Sequence, residues 1–583
     1  MTELLSRARL DQAMGITATE EQWAAITAPL TPGVIVAGAG SGKTTSMAAR
    51  VAWLVGSGLV LPDRVLGLTF TTKAAAQLLG AMRSAVASLG IEPMEESERG
   101  DPQVLTYNAF GAAIVNEHAM RLGREPNPTL LTPGARQQLA FHVVCRTAVD
   151  LSSLDKSPVQ VTSYLLELDD QLSELSITPA ELVVYEDRTI EYLTSVGALQ
   201  KIGHSMLATA RARRALAEVI VEWRAVKADR DLIDYSDQIR LAGELVAGFS
   251  DVQEQIAARF DVVLLDEYQD TSIGQRKLLQ GIFGSRAAVT AVGDPCQAIY
   301  GWRGASVANI DDFLVHFTGS RSASAAYSLS QNRRSGPAIL ELANAVSSDL
   351  RAQHDTVREL VTGPQDRGPG LVDIGLFDTI DDELSWLCQR IREVHSRCSS
   401  DESVAVLGTT GTDLARVDRL LRDLGVPTQL AGAAALLAQP AVIDARSMLE
   451  VLHDPTANPA FLRVAAGPRW RIGPRDLAAL GHRAKVIARS AGRSTATDVE
   501  TALADAVVGG DPVEIASLSD ALFDLGSPDD YSADAMSRFG ALAREIAALR
   551  AATDLPLIDL IGRVIRTTGV GVEAQVADAQ VAD

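Results

Sequence analysis

The apolar positions of the first third fall in short runs separated by longer amphipathic stretches. Val34-Ile35-Val36 is followed by a glycine-rich turn and a helical stretch through Leu54 that stops at Gly56-Ser57-Gly58. Val65 to Phe70 is a second run with a helix after it, and Val104 to Thr106 is a third. Val262 to Leu265 and Ala288 to Val292 complete the set. Strands this apolar, interleaved with helices, predict a parallel sheet covered on both faces, hence an α/β fold. Between about 116 and 225 the pattern becomes purely helical, as in Arg136 to Val149 and Leu207 to Val226, which predicts a helical insertion. A second α/β segment is expected after about 336, with a strand at Val404 to Leu407. From about 436 onward the pattern is Ala-rich helix. The chain closes on a five-residue tandem, Ala574 to Asp578 and Ala579 to Asp583, and two copies are too few for a repeat architecture.

Composition narrows this picture. The 583 residues suffice for three or four domains of about 150 residues each. No stretch of about 20 apolar residues is long enough to span a bilayer, so no membrane partner is expected. The first residues lack the basic start and apolar run of a secretory leader. Cys145, Cys296, Cys388 and Cys398 are scattered without metal-ligand or disulfide spacing, which fits a reducing cytoplasm. A net charge of −21 would argue against nucleic acid if charge were spread evenly, but only the charge along a binding path counts. Of the 53 basic residues only seven are lysine, and two of them, Lys43 and Lys73, lie in the motifs described next.

Ala37-Gly38-Ala39-Gly40-Ser41-Gly42-Lys43-Thr44-Thr45 follows a strand and opens a helix. Glycines there let backbone N–H groups face phosphate oxygens, Lys43 is placed to reach the β- and γ-phosphates, and the Thr44 hydroxyl is placed to hold Mg²⁺. Ala37 stands where the strict motif has its first glycine. The partner segment is Val262-Val-Leu-Leu-Asp266-Glu267-Tyr-Gln-Asp270. An acidic pair at the end of a buried strand suits a metal ligand, Asp266, beside a group that orients or deprotonates water, Glu267. Thr19-Glu-Glu-Gln22 reads as a helix capping box. The Gln22 amide has a second expected role at the adenine edge.

Three further segments decide among phosphate-loop proteins. They are Leu68-Thr-Phe70-Thr-Thr72-Lys73, then Val292-Gly-Asp294-Pro-Cys-Gln297-Ala-Ile-Tyr300-Gly-Trp302-Arg303-Gly-Ala, then Leu329-Ser-Gln-Asn332-Arg333-Arg334-Ser335. With them the chain resembles the UvrD/Rep/PcrA family of superfamily-one DNA helicases, over most of residues 15–345 and more weakly beyond. The resemblance implies ATP and Mg²⁺ as cofactors and single-stranded DNA and single-strand/duplex junctions as partners. It implies 3′-to-5′ movement in DNA repair or recombination, at the nucleoid. Gln297 resembles the γ-phosphate sensor and Arg334 the arginine finger. Trp302 resembles a residue on which a base stacks and Phe70 one beside a base pocket, and Tyr300 is a further DNA contact the resemblance implies. Arg303, Thr72, Tyr107 and Asn108 resemble further DNA contacts. Relatives usually carry His at the Asn108 position and Tyr at the Arg333 position, so the contact stacked on adenine is in question. The turn from Ala466 to Arg475 resembles one that grips duplex backbone.

The implied domains are a first RecA-like ATP-binding domain at 1–115 and 226–335, and a helical insertion at 116–225. A partial second RecA-like domain follows at 336–435, then a truncated helical subdomain at 436–583. Two later family motifs, a Thr-Val-His…Lys-Gly strand-turn and a Val-Ala-x-Thr-Arg-Ala segment, do not occur. The expectation is therefore an N-terminal portion that lacks the C-terminal motifs and hydrolyses ATP poorly alone. The run Met47 to Leu54 and the Ala/Arg-rich style also resemble motor subunits of actinobacterial helicase–nucleases of the AdnAB type, which implies a partner subunit. The alternatives are a non-catalytic ATP- and DNA-binding subunit, and a phosphate-loop ATPase with another substrate.

Overall fold

The apolar runs fold as strands because each can pair along its edges and bury both faces. In chain order the strands are β1 (Gly33–Ala37), β2 (Val65–Thr69), β3 (Gln103–Thr106), β4 (Thr129–Leu130), β5 (Leu232–Ile233), β6 (Val262–Leu265), β7 (Ala288–Gly293), β8 (Ala326–Leu329), β9 (Gln331–Asn332) and β10 (Val361–Thr362). The computed structural model describes residues 4–90, 100–196, 200–284, 286–320, 325–364, 367–399, 402–430, 437, 439–491, 516–572 and 576. The terminal tandem lies outside these but for Val576. Two compact units divide the chain, Met1–Asp373 and Ile374–Asp583.

The first unit is built on a six-stranded sheet in the order β3-β2-β6-β7-β1-β8, with every pairing parallel. Side chains alternate between its faces. Val34 and Val36 join one buried cluster with Leu66, Leu68, Val263 and Leu265, while Ile35 and Ala37 join the other with Val65, Val262 and Leu264. Both faces are covered by helices α1 (Arg7–Met14), α2 (Glu20–Ile26), α3 (Lys43–Gly56), α4 (Thr72–Ala87) and α5 (Tyr107–His118), and by later ones given below. The parallel α/β sheet is the architecture expected, consistent with a RecA-like helicase fold. The β8 strand is an addition to the expected five.

Between β3 and β6 the chain leaves the sheet through α6 (Pro133–Arg146), α7 (Pro158–Leu175), α8 (Pro179–Ser195) and α9 (Lys201–Asp229). Leu165, Val219, Ile220 and Trp223 center a separate core for these helices. The stretch is not purely helical, because β4 pairs with β5 where the chain goes out and comes back. It returns to β6 through α10 (Tyr235–Gly248) and α11 (Ser250–Ala257), and α12 (Ile273–Ile282) follows β6. A buried ionic network joins α9 to α10: Lys227, 1% exposed, lies 2.9 Å from Asp234 and 2.6 Å from Asp237. Trp223 and Arg224 donate to Asp169, and Arg136 bridges Asp234 and Asp170. Burial alone would raise the Asp237 carboxyl, but Lys227 and Arg240 outweigh it and hold it well below the usual carboxylate range.

The second unit contains no strand among its described residues. The expected strand at Val404 to Leu407 is corrected: no neighbouring segment hydrogen-bonds to it among the described residues, and Leu407 is 95% exposed. Helices Ile380–His395 and Gly411–Asp423 pack around Leu384, Cys388, Val417 and Leu421. The remaining helices enclose a larger core around Met448, Phe461, Phe539 and Ile546.

Candidate nucleotide site and aromatic loop

The loop from Gly38 to Gly42 links β1 to α3. Gly40 (φ +70°) and Gly42 (φ +85°) take the left-handed conformation that costs a side-chain-bearing residue most. A Cβ on Gly40 would lie 2.6 Å from the Asn332 amide and 2.8 Å from Arg334 Cβ, so Asn332 and Arg334 are pressed against the loop. Asn332 donates to the Ala39 carbonyl at 2.6 Å and accepts from the N–H groups of Arg334 and Ser335. The Arg334 side chain is exposed and makes no hydrogen bond or ion pair among the described residues. Ser41 donates its hydroxyl to the Gly38 carbonyl, and Thr44 and Thr45 are exposed on the first turn of α3.

Lys43 Nζ donates to both carboxylate oxygens of Glu267, at 2.8 and 2.7 Å. The two groups expected to act on phosphate and water thus neutralise each other. Glu267 sits at φ +50°, a strained position for a non-glycine residue and one that aims its carboxylate across to α3. Burial pushes the neighbouring Asp266 carboxyl up to about 6, with the Glu267 charge adding to the shift and Lys43 opposing it.

This has a measurable cost. An Asp whose folded pKa is raised binds its proton more tightly folded than unfolded. Its unfavourable effect on stability is absent below about pH 4 and grows as pH rises through 6. A rise of this size is worth about 3 kcal/mol. Asp266→Asn is therefore expected to stabilise the nucleotide-free chain by up to that amount at pH 8 and hardly at pH 4. Urea unfolding at both pH values checks this; equal effects at the two would rule it out.

Gln269 was missed by sequence reading. It is buried, accepts from the Asp294 N–H at 3.0 Å and donates to Glu267 at 2.9 Å. Gln297 donates to Asp294 at 2.6 Å. A hydrogen-bonded path thus runs from Gln297 through Asp294, Gln269 and Glu267 to Lys43. No sequence signal marks Gln269, since a glutamine after an acidic pair is ordinary.

The loop after β7 carries Tyr300, Trp302 and Arg303. Trp302 is 70% exposed, and the Arg303 guanidinium lies 4.6 Å from its ring centre and 5.5 Å from that of Tyr300. Phe70 is partly buried, with its ring 5.1 Å from that of Tyr107. Tyr107 corrects an expectation: it is 3% exposed and reaches the Asp266 carbonyl at 3.4 Å, so it backs Phe70 from within the core and faces no solvent. Thr72 is exposed at the start of α4, and Asn108, half-buried, donates to the Tyr235 carbonyl.

The capping box at Thr19 forms as expected. Gln22 also donates to the Ser41 carbonyl at 3.0 Å, and its amide oxygen accepts from both the Thr19 N–H and Arg333, at 3.1 Å each. In the second unit the turn at Ala466 to Arg475 is pinned by buried Ile472. Arg469 donates to the Thr568 carbonyl and pairs with Glu545, and Arg538 donates to the carbonyls of Trp470 and Arg471. Arg471 donates to the Pro468 carbonyl at 2.9 Å, so two of the turn's arginines make internal contacts.

A strand, a glycine-rich loop at a helix N-terminus and an acidic pair two strands away define a phosphate-loop nucleotide-binding fold. Residues 18–318 match the UvrD/REP helicase N-terminal domain, and residues 327–490 match the UvrD-like helicase C-terminal domain. The chain belongs to the UvrD/REP helicase family. It is 26% identical over 452 residues to the ATP-dependent DNA helicase PcrA of Leuconostoc citreum, covering 77% of this chain and 54% of that one. It is 26% identical over 472 residues to ATP-dependent DNA helicase UvrD2 of Mycobacterium tuberculosis, covering 80% and 62%. With DNA helicase II of Escherichia coli K12 the identity is 25% over 460 residues, 79% and 57% of the two chains. The chain spans about half to three-fifths of the length of these relatives. The second domain match overturns the expectation that the C-terminal motifs are missing. That expectation rested on two short strings, whereas a domain is carried by the whole pattern of its positions. No helix among the described residues is long and apolar enough to cross a membrane.

Proposed function

We propose that the chain is an ATP-driven motor that steps 3′-to-5′ along single-stranded DNA and works at single-strand/duplex junctions in repair or recombination. Direction and process follow the family resemblance. The observation that carries the reading is the hydrogen-bonded path from Lys43 to Gln297, which ends three residues short of an aromatic loop open to solvent. A chemical change at the phosphate loop has a short covalent and hydrogen-bonded route to that loop.

In this reading the backbone of Gly38 to Gly42, with Lys43, Thr44 and Thr45, holds the triphosphate. Thr44 and Asp266 offer oxygen ligands, the donor type Mg²⁺ takes, and both belong to segments that the Lys43–Glu267 pair brings together. The ion, when bound, neutralises phosphate charge. Glu267, once released from Lys43, accepts a proton from the attacking water. Arg334, exposed beside the loop, faces the charge that develops on the terminal phosphate. Gln297 senses that phosphate through Asp294. Trp302, Tyr300 and Phe70 offer stacking surfaces, which tolerate any base, while Arg303, Thr72 and Asn108 add polar contacts.

ATP hydrolysis measured with and without oligo(dT) tests the proposal. Stimulation by the oligonucleotide, abolished by Lys43→Ala, is the expected result; a rate indifferent to DNA would overturn it. Trp302→Ala is expected to weaken oligonucleotide binding by roughly 1–3 kcal/mol while sparing nucleotide binding. Equal loss of both would make Trp302 a structural residue.

A further inference from the structure

We propose that Glu174, in the helical insertion, is a positioning residue for single-stranded DNA: the stem of its side chain seats the loop that carries Trp302 and Arg303. The inference rests on the reading of that loop as a DNA-binding surface. Glu174 is half-buried at the C-terminal end of α7. Gly304 ends the turn that bears Trp302 and Arg303, at φ +76°. A Cβ on Gly304 would lie 2.7 Å from Glu174 Cβ and 3.6 Å from its Cγ. Carbon atoms in contact rest at about 3.5–4.0 Å, so only a glycine lets the loop come this close to α7.

The same end of α7 lies against a second segment, the first turn of α12. A Cβ on Gly274 would lie 2.8 Å from the Ser173 carbonyl oxygen and 3.3 Å from that of Glu174. Lys277, one turn further along α12, donates to the Ser176 carbonyl at 3.5 Å. The two segments that α7 touches are also joined to each other. Ser272 forms an antiparallel bridge with Ala305. The Thr271 carbonyl accepts from the Ser306 N–H at 3.3 Å and from the Asn309 amide at 2.7 Å. The far side of the aromatic loop therefore has two supports: the chain that follows the acidic pair, and Glu174. Trp302 itself is 70% exposed, so its place depends on how the loop is seated. A displacement of the insertion reaches the stacking ring through one side-chain contact.

Fluorescence anisotropy of labelled oligo(dT) with the full chain tests this, beside titration with the β,γ-imido analogue of ATP. Glu174→Val thickens the stem at Cβ, and Gly304→Ala adds the clashing atom. Each is expected to weaken oligo(dT) binding roughly tenfold, the scale of losing one stacked base, and to leave analogue binding unchanged. Glu174→Gln keeps the stem and is expected to bind oligo(dT) as the unsubstituted chain does. Glu174→Gly removes the Cβ that Gly304→Ala would meet, so the double substitution is expected to recover part of the loss. The remainder stays, because φ +76° strains an alanine whatever the space. Three results each overturn the inference: an oligo(dT) affinity that Glu174→Val does not move, a loss as large in Glu174→Gln, or a double variant no better than Gly304→Ala alone. So does an equal loss of analogue binding, which would mark a contact that only holds the fold. An unsubstituted chain that binds the analogue but no oligo(dT) would instead sink the DNA reading itself, and the inference with it.

Discussion

Glu267→Gln is expected to yield a chain that binds nucleotide slightly more tightly and turns it over roughly 10²–10⁴ times more slowly. The two effects share one cause. Lys43 is held by both carboxylate oxygens of Glu267, and that ion pair must open before Lys43 can reach a phosphate. A neutral amide holds the ammonium less strongly, so Lys43 is released at lower cost. The gain is small, about 0.2–1 kcal/mol, because the pair is partly exposed. The loss is large because an amide cannot take a proton from water. Equilibrium binding of a non-hydrolysable analogue, with single-turnover hydrolysis beside it, separates the two. A hydrolysis rate within tenfold of the unsubstituted chain would leave Glu267 only an orienting role.

Lys227→Met is expected to destabilise the first unit by about 3–5 kcal/mol, the cost of breaking a buried ion pair from one side. Lys227 is surrounded by Asp234, Asp237 and, at 3.7 Å, Asp169. Removing its charge leaves buried carboxylates that repel one another. Adding Asp237→Asn is expected to recover part of the loss, and a double-mutant cycle by urea unfolding measures the coupling. Additive losses would show that the pair does not interact. The same network sets an acid limit. Because the Asp237 pKa is depressed on folding, its contribution is complete above the unfolded value of about 4 and is lost as pH falls below it.

The parts of the fold that sequence made legible are those where one physical demand dominates. Strands buried on both faces must be apolar, so β1, β2, β6 and β7 stand out. The phosphate loop is equally plain, since Gly40 and Gly42 occupy backbone conformations that few other residues accept. β8 escaped notice because Ala326-Tyr-Ser-Leu329 lies at the sheet's edge and is only half-buried. Val404 to Leu407 misled for the opposite reason: its apolar run satisfies the demand of a buried strand, but pairing is a matter of neighbours, which composition does not report. Tyr107 was legible as a motif residue and not as a buried one, because a tyrosine suits both settings. Gln269 and the Lys227 network depend on contacts between distant segments, and single positions carry no mark of them.

The strand order also sets a timetable for making the protein. β1 lies between β7 and β8, whose residues arrive roughly 250 and 290 positions later in the chain. At about 5–20 residues per second on a ribosome, β1 waits on the order of ten to sixty seconds for a neighbour. Through that interval Val34-Ile-Val36 is a sticky ribbon with two open edges. Slow codons between β1 and β7 would prolong the wait and lower the soluble yield, whereas the same codons placed after β8 would cost nothing in this way.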